Sequence, residues 1–293
     1  MTVTTATTEV VRPRASAGMY SKALRRFFKH RLAVAGLVFL GIVILAAIFA
    51  PLVAPHDPEE IFWDAVKMPP SAQYLLGTDE IGRDILSRLI YGGRVSFTIV
   101  FGSIAIALVV GATTGLISGF VGGWVDTVIM RIIDGMLAFP TLILALGIIT
   151  VLGPNLFNAM LAIAITNVPD FARLVRGQVL LVREQDFIQA ARAMGANNFR
   201  IMAFHLWPSV VGNVIVYASL RTSGALLSES SLAFLGLGVA PPTPTWGQML
   251  ATSLSYISYW WLGVFPGLAI FLAVLAFNFV GDGVRDALDA RTR

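Results

Sequence analysis

The sequence predicts an all-α integral membrane protein with six transmembrane helices and both termini in the cytoplasm. Three observations carry this. Of 293 residues, 56% are hydrophobic and only 13% charged, about half the charge of a soluble chain. Apolar runs near the ~20 residues that a bilayer requires recur along the chain between polar interruptions. Basic residues gather on alternate interruptions, so their bias fixes an orientation. A net charge of +4 and a pI near 9.7 therefore report topology rather than nucleic-acid binding.

The elements follow in order. Residues 1–31 form a basic tail in which Arg12, Arg14, Lys22, Arg25, Arg26, Lys29 and Arg31 face the single acid Glu9. The start of this tail reads as disordered, and residues 20–30 as a short basic surface helix. Residues 32–53 are charge-free and long enough to span, a retained anchor rather than the shorter apolar region of a cleaved signal peptide. Residues 54–94 form an extracytoplasmic loop with four basic and seven acidic residues. Ile81, Ile85, Leu89 and Ile90 recur there at helical spacing, which predicts a helix lying along the membrane face. Residues 95–293 hold the core, with five further spans.

The second span lies within residues 95–125, where Gly111, Gly115, Gly119, Gly122 and Gly123 give small-residue spacing for close helix packing. A turn near residues 124–126 leads to the third span, residues 129–152, interrupted by Pro140. Gly153-Pro154-Asn155 is a tight turn. The fourth span, residues 156–174, grows polar at its far end with Asp170, Arg173, Arg176 and Arg183. The fifth span is residues 209–234 and the sixth residues 260–280. Six spans put both ends on one side, and the basic tail shares that side with the five arginines from Arg173 to Arg200. The opposite loop, residues 236–259, carries no charge.

Between the fourth and fifth spans, residues 183–208 form the longest polar interruption of the second half. A helical pattern runs to Met194 with Phe187, Ala191 and Met194 on one face, and Glu184, Gln185 and Arg192 away from it. Gly195 can adopt the left-handed conformation that ends such a helix. Asn197 can cap a second short helix bearing Phe199, Met202 and Leu206. Pro208 then stops that helix and opens the next span.

Within this hairpin, Gln189-Ala190-Ala191, three residues, Gly195, nine residues and His205-Leu206-Trp207-Pro208 resemble the EAA loop of ABC-importer membrane subunits. That loop reads Glu-Ala-Ala, three residues, Gly, nine residues, Ile-x-Leu-Pro. The chain departs from it at Gln189, His205 and Trp207. The resemblance implies that Glu184, Gln189, Ala190, Ala191, Arg192, Gly195, Arg200 and Pro208 belong to a coupling segment seated on an ATPase subunit. Paired alanines let another backbone come close, which suits that use.

Two further stretches are similar to the C-type membrane subunits of dipeptide, oligopeptide and nickel importers. One is Gly77-Thr78-Asp79-Glu80-Ile81-Gly82-Arg83-Asp84, read as a capped interfacial helix rather than a catalytic acid–base set, since no second polar cluster supports chemistry. The other runs from Glu229 through Phe234-Leu235-Gly236-Leu237-Gly238 and Pro241-Pro242 to Trp246-Gly247. Its Gly236, Gly238, Pro241, Pro242 and Trp246 are expected to shape an outer gate, to receive a binding protein, or to cap two spans rigidly. Residues 281–289 resemble the same branch's cytoplasmic end, capping the sixth helix.

The resemblance implies a type I ABC importer permease fold in a prokaryotic cytoplasmic membrane. It implies a heterodimer with a second permease subunit, two cytoplasmic ATPase subunits, an extracytoplasmic solute-binding protein and a peptide substrate. ATP and Mg would sit on the ATPases. The chain itself has only Lys22, Lys29 and Lys67, none in a Gly-Lys-Ser/Thr phosphate loop, and zero Cys, so no cofactor is expected on it. Nickel is the alternative substrate.

Arg221 and Glu229 are charges inside the fifth span. A basic residue at mid-bilayer costs roughly 2.5–3.5 kcal/mol, so Arg221 should border the transport path or a helix contact. The two lie about 12 Å apart along the axis and about 80° around it, so each is expected to find its own partner on another helix. An ion-coupled transporter would need more such groups and an inverted repeat. An intramembrane enzyme would need a Ser/His, His-Glu-x-x-His or paired-Asp site. Arg131 and Asp134 read as interfacial anchors. Tyr256, Tyr259, Trp260 and Trp261 read as an interfacial belt.

Overall fold

In the computed structural model, residues 24–288 are described and regular structure within them is helical. Residues 1–23 and 289–293, which include most of the expected basic tail, lie outside the described residues. The first long helix, α1 (Arg31–Ile48), begins at His30, whose Nδ1 accepts from the Ala33 amide at 3.1 Å. A one-turn helix, α2 (Ala50–Val53), follows with a proline in its first turn, so residues 32–53 are helical apart from a break at Phe49. α1 lies against the last helix so closely that a Cβ on Gly36 would stand 2.9 Å from the Ala276 carbonyl.

Residues 54–84 fold as a tight loop. Gly77 and Gly82 take φ of +80° and +92°, and a side chain at Gly82 would strike the Phe62 carbonyl at 2.2 Å. Asp84 then caps α3 (Ile85–Val121), accepting from the Ser87 amide at 2.8 Å. The expected separate interfacial helix is not there. Its residues from Ile85 onward are the first turns of α3, which is 37 residues long, or about 55 Å. The cap at Asp84 and burial of Ile85, Ser87 and Arg88 make those turns continuous with the span.

Gly122 and Gly123, at φ of +70° and +57°, turn the chain into α4 (Gly123–Leu137). α5 (Thr141–Leu152) leaves α4 at 92°. The interruption read at Pro140 is therefore a right-angled break, because proline can neither donate to nor pack against the preceding turn. α6 (Leu156–Val182) starts at Asn155, whose side chain accepts from the Asn158 amide at 2.9 Å. Its packing on α3 is the most extensive in the structure. The glycine spacing explains it: Cβ atoms at Gly111, Gly115 and Gly119 would lie 2.6, 2.4 and 3.0 Å from α6 atoms.

After α6 come two short helices, α7 (Asp186–Ala193) and α8 (Asn198–Ile201), then a π-helical turn at Met202–Leu206 and α9 (Trp207–Phe234). α10 (Trp246–Ser253) and α11 (Trp261–Leu288) complete the chain. The loop expected over residues 236–259 thus contains a helix, and residues 281–288 continue the last helix rather than capping it. Among the described residues, four helices are long and apolar enough to cross a membrane: α1, α3, α8 to α9 taken together, and α11. The bent α4–α5 pair makes a possible fifth. α6 has the length, but Asp170, Arg173 and Arg176 interrupt its apolar surface.

Candidate functional site

The hairpin after α6 is built as its residue types require. Gly195 takes φ +81° and ends α7. Asn197 caps α8 by accepting from the Arg200 amide at 2.8 Å. Of the apolar residues grouped by helical spacing, Ala191 and Leu206 are buried together with Ile188 and Ile201, whereas Phe187, Met194 and Phe199 are exposed. Ile188 and Ile201 hold the hairpin to the core, leaving a free apolar surface of short helices. Glu184, Gln189, Ala190, Arg192, Gly195 and Arg200 are exposed beside it. The Arg192 guanidinium also lies 5.4 Å from the centre of the Phe120 ring at the end of α3.

Pro208 does not stop a helix. It sits in the first turn of α9, and the backbone passes into it through the π turn. A wider turn gives room for a ring that would otherwise meet the carbonyl four residues back.

Charged pairs that the sequence did not reveal, one of them through the unforeseen Asp126, clamp the hairpin's stem. Arg176 donates Nε and Nη2 to the two carboxylate oxygens of Asp126, both at 2.6 Å, and Ser118 Oγ donates to the same carboxylate. Arg173 pairs with Asp134 at 2.6 Å. Arg183 donates to the Gly119 carbonyl at 2.8 Å and pairs with Glu184 at 2.9 Å. Asp134 is therefore a partner between helices rather than only an interfacial anchor. Aspartates in one helix and arginines in the next were legible as residue types, but their pairing needs the α4–α6 contact.

Arg221 finds its partner on another helix, as its depth requires. Its Nη2 donates to Asp170 on α6, and its Nε donates to the Tyr217 hydroxyl at 2.8 Å. Glu229 is 2% exposed; Oε2 accepts from its neighbour Ser230 at 3.3 Å, the Ser96 hydroxyl of α3 lies against the carboxyl, and Oε1 has no hydrogen-bond partner among the described residues.

The outer stretch divides in two. Gly236, Pro241 and Pro242 are exposed, and the Pro241–Pro242 peptide is cis. Gly238 and Trp246 are buried instead of shaping a surface. The Trp246 indole donates to the Leu89 carbonyl at 2.8 Å and lies edge-on to Phe97, with centroids 5.3 Å apart. Gly92 and Gly93 admit the ring, since a Cβ at either would stand 3.2 or 3.0 Å from it. Trp261 also leaves the expected belt: it is buried and donates to the Thr78 carbonyl at 3.2 Å.

The acidic motif beneath it is structural. Asp79 accepts from the amides of Ile81 and Arg83 at 3.1 and 2.9 Å and pairs with Arg83 at 2.7 Å. Arg88 is buried, 3.4 Å from Asp79, and donates to the Pro58 carbonyl at 2.9 Å. Both Asp79 oxygens, Glu80 Oε1 and Asp84 Oδ2 are engaged, as in a folding knot rather than an acid–base site.

Comparison with known proteins follows the same lines. Residues 111–293 match the family model described as binding-protein-dependent transport system inner membrane component. Residues 18–70 match the N-terminal TM domain of oligopeptide transport permease C. A dipeptide transport system permease of Alkalihalophilus pseudofirmus is 46% identical over 275 residues, covering 94% of this chain and 90% of that one. A di/tripeptide transport system permease of Pseudomonas aeruginosa is 44% identical over 286 residues, covering 94% of each. A glutathione transport system permease of Pectobacterium atrosepticum is 40% identical over 290 residues, covering 98% and 96%. Among solved structures, the methionine ABC transporter MetNI in inward-facing conformations shares the fold. It aligns with TM-score 0.57 at 20% identity, over 68% of this chain and 96% of that one.

Proposed function

Since the chain belongs to the binding-protein-dependent transport system inner membrane component family, we propose that it is the permease subunit of an ATP-driven importer of di- and oligopeptides. It would pair with a second permease, two cytoplasmic ATPase subunits and an extracytoplasmic peptide-binding protein. The observation that carries this reading is the exposed apolar hairpin, α7 to α8, at the end of α6. Phe187, Met194 and Phe199 are 43%, 82% and 71% exposed, a surface fit for a groove on another protein. The peptide substrate follows from the relatives, whose names specify dipeptide, di/tripeptide and glutathione transport.

In this reading the six crossings are α1, α3, the bent α4–α5 pair, α6, α9 and α11. Both ends and the hairpin then share the cytoplasmic side with Arg173, Arg176, Arg183, Arg192 and Arg200. Closure of the ATPases on ATP moves the hairpin and α6, and the spans open outward to accept peptide. The chain holds and moves the path while hydrolysis takes place on its partners.

The test is a mild-detergent pull-down of the tagged chain from its own cells, with mass spectrometry of what accompanies it. Two ATPases, a second permease and a peptide-type binding protein are expected. Recovery of the chain alone, under conditions where other ABC assemblies survive, would refute the proposal.

A further inference from the structure

Six residues of α9 recur at helical spacing: Asn213, Tyr217, Arg221, Gly224, Ser228 and Ser231. At about 100° per residue they fall within an arc of about 80°. Every one is polar or small, and none is buried. A Cβ at Gly224 would meet nothing within 4 Å. The neighbouring helix α6 presents Gly177, equally open, and Gln178, which accepts from the Asn213 side chain at 2.7 Å. Other faces of α9 are different in kind: Val214, Ala225 and Leu226 pack inward, and Ile215 is half-exposed.

A polar stripe five turns long with an arginine in it is costly against acyl chains, so it faces water or protein. The ion pair on it is also not closed off. Arg221 and Asp170 keep 38% and 28% of their side-chain surface exposed, so a solute in that space can reach both charges. The guanidinium has five N–H donors, and Tyr217 and Asp170 occupy only part of that fork. The pair is neutral overall and dipolar, and so matches a solute that is itself neutral and dipolar.

We propose that this stripe lines the aqueous route through the assembled transporter, and that Asp170 and Arg221 are where that route meets a zwitterionic solute. The solute's ammonium group faces the Asp170 carboxylate and its carboxylate faces the free edge of the Arg221 guanidinium. Recognition of two termini alone leaves the side chains between them unread. The inference rests on the permease reading above and deepens it.

The chain contains no cysteine, so a single introduced cysteine is the only thiol on it, and labelling is read on this chain after the subunits are separated. In the assembled complex in native membranes, Tyr217→Cys, Gly224→Cys and Ser228→Cys are treated with an anionic, membrane-impermeant methanethiosulfonate. Ile215→Cys on the same helix and Leu45→Cys on α1 serve as lipid-side references. Labelling is followed without nucleotide and with ATP plus vanadate, and co-purification of the ATPases is checked for every variant. The stripe positions are expected to react at least tenfold faster than the references in one of the two states. Millimolar alanylalanine with its binding protein is expected to slow labelling of Gly224→Cys at least threefold.

Reaction at the reference rate in both states, in complexes that retain their ATPases, would overturn the stripe while leaving the permease reading intact. Rapid labelling of Gly224→Cys that the dipeptide leaves unchanged would overturn the assignment of the ion pair as a solute site. Absence of ATPases from the unmodified complex would instead overturn the permease reading itself.

Discussion

Gly115→Ala is the sharpest test of how the membrane core is held. A Cβ there would stand 2.4 Å from the Ala172 carbonyl and 3.0 Å from the Val175 Cβ, both on α6. Ordinary contact begins near 3.4 Å, so α3 and α6 must separate by about 1 Å at that level. Gly111 and Gly119 sit one turn to either side in the same seam, with approaches of 2.6 and 3.0 Å, and they lose contact together. Such a gap forfeits about a quarter to a half of each dispersion contact, and overpacking costs about 1–3 kcal/mol. Alanine returns up to ~1 kcal/mol through helix propensity, leaving a net loss of about 1–2 kcal/mol. Gly147→Ala on α5 is the control, since nothing lies within 4 Å of its Cβ; it should be neutral or slightly stabilising. Thermal unfolding in detergent, followed by fluorescence-detected size exclusion, should show Gly115→Ala melting several degrees lower. If Gly115→Ala melted at or above wild type, the close seam would not be what joins these helices.

Trp246→Ala should destabilise by about 3–5 kcal/mol, because it empties a site walled by Gly92, Gly93 and Phe97; urea-sensitive proteolysis of the α9–α10 connection would report it. Asp126→Ala and Arg176→Ala should each lower stability, and a double-mutant cycle should return a coupling near 1–2 kcal/mol for this partly exposed bidentate pair. Gly195→Val forces a β-branched residue to φ +81°, a strain of about 1–2 kcal/mol confined to the hairpin. It should reduce ATPase co-purification severalfold with little change in melting temperature. Burial raises the Tyr74 hydroxyl above its ordinary pKa of 10.0, with Asp64, Asp84 and Glu60 adding to the effect. The unfolded chain therefore releases this proton first, and stability should fall as pH rises past 10, an effect that Tyr74→Phe should remove in alkaline unfolding titrations.

The sequence was most informative where one residue type has one physical use. Gly111, Gly115 and Gly119 marked a close seam, Asn197 and Gly195 marked the ends of two short helices, and Arg221 required a partner because of its depth. Patterns of burial were less legible. Periodicity put Phe187, Ala191 and Met194 on one face without saying what that face meets, and a helix as short as α7 buries only the residues that face its support, here Ile188 and Ala191. Ile81–Ile90 looked interfacial because Ile81, Ile85, Leu89 and Ile90 recur at helical spacing beside charges, whereas Arg88 is buried in a network with Asp79 and Pro58 that no spacing rule contains. Trp246 read as part of a surface loop because Pro and Gly surround it, and only Gly92 and Gly93, some 150 positions away, reveal its socket.

The position of α6 connects these observations. Asp170 near its middle holds Arg221 of α9, Arg173 and Arg176 hold Asp134 and Asp126 of α4, and Arg183 at its end holds the Gly119 carbonyl of α3. The glycine seam removes the side chains that would cushion α6 against α3. A force applied to the hairpin at Asp186–Ile201 therefore reaches α6 directly and cannot be absorbed by rotation of α6 alone, because its polar partners lie on three different helices. A joint displacement of α3, α4 and α6 relative to α9 keeps the glycine seam, the Arg173 and Arg176 pairs and the Arg183 contact, and exchanges Arg221–Asp170 and Asn213–Gln178. Along the α6–α9 boundary the polar contacts in place are Asn213 with Gln178 and Arg221 with Asp170, both of which water can replace. The glycine seam makes α3 and α6 the most extensively packed pair, whereas α6 and α9 meet over a smaller contact bridged by polar groups, so the α6–α9 boundary is the one expected to open.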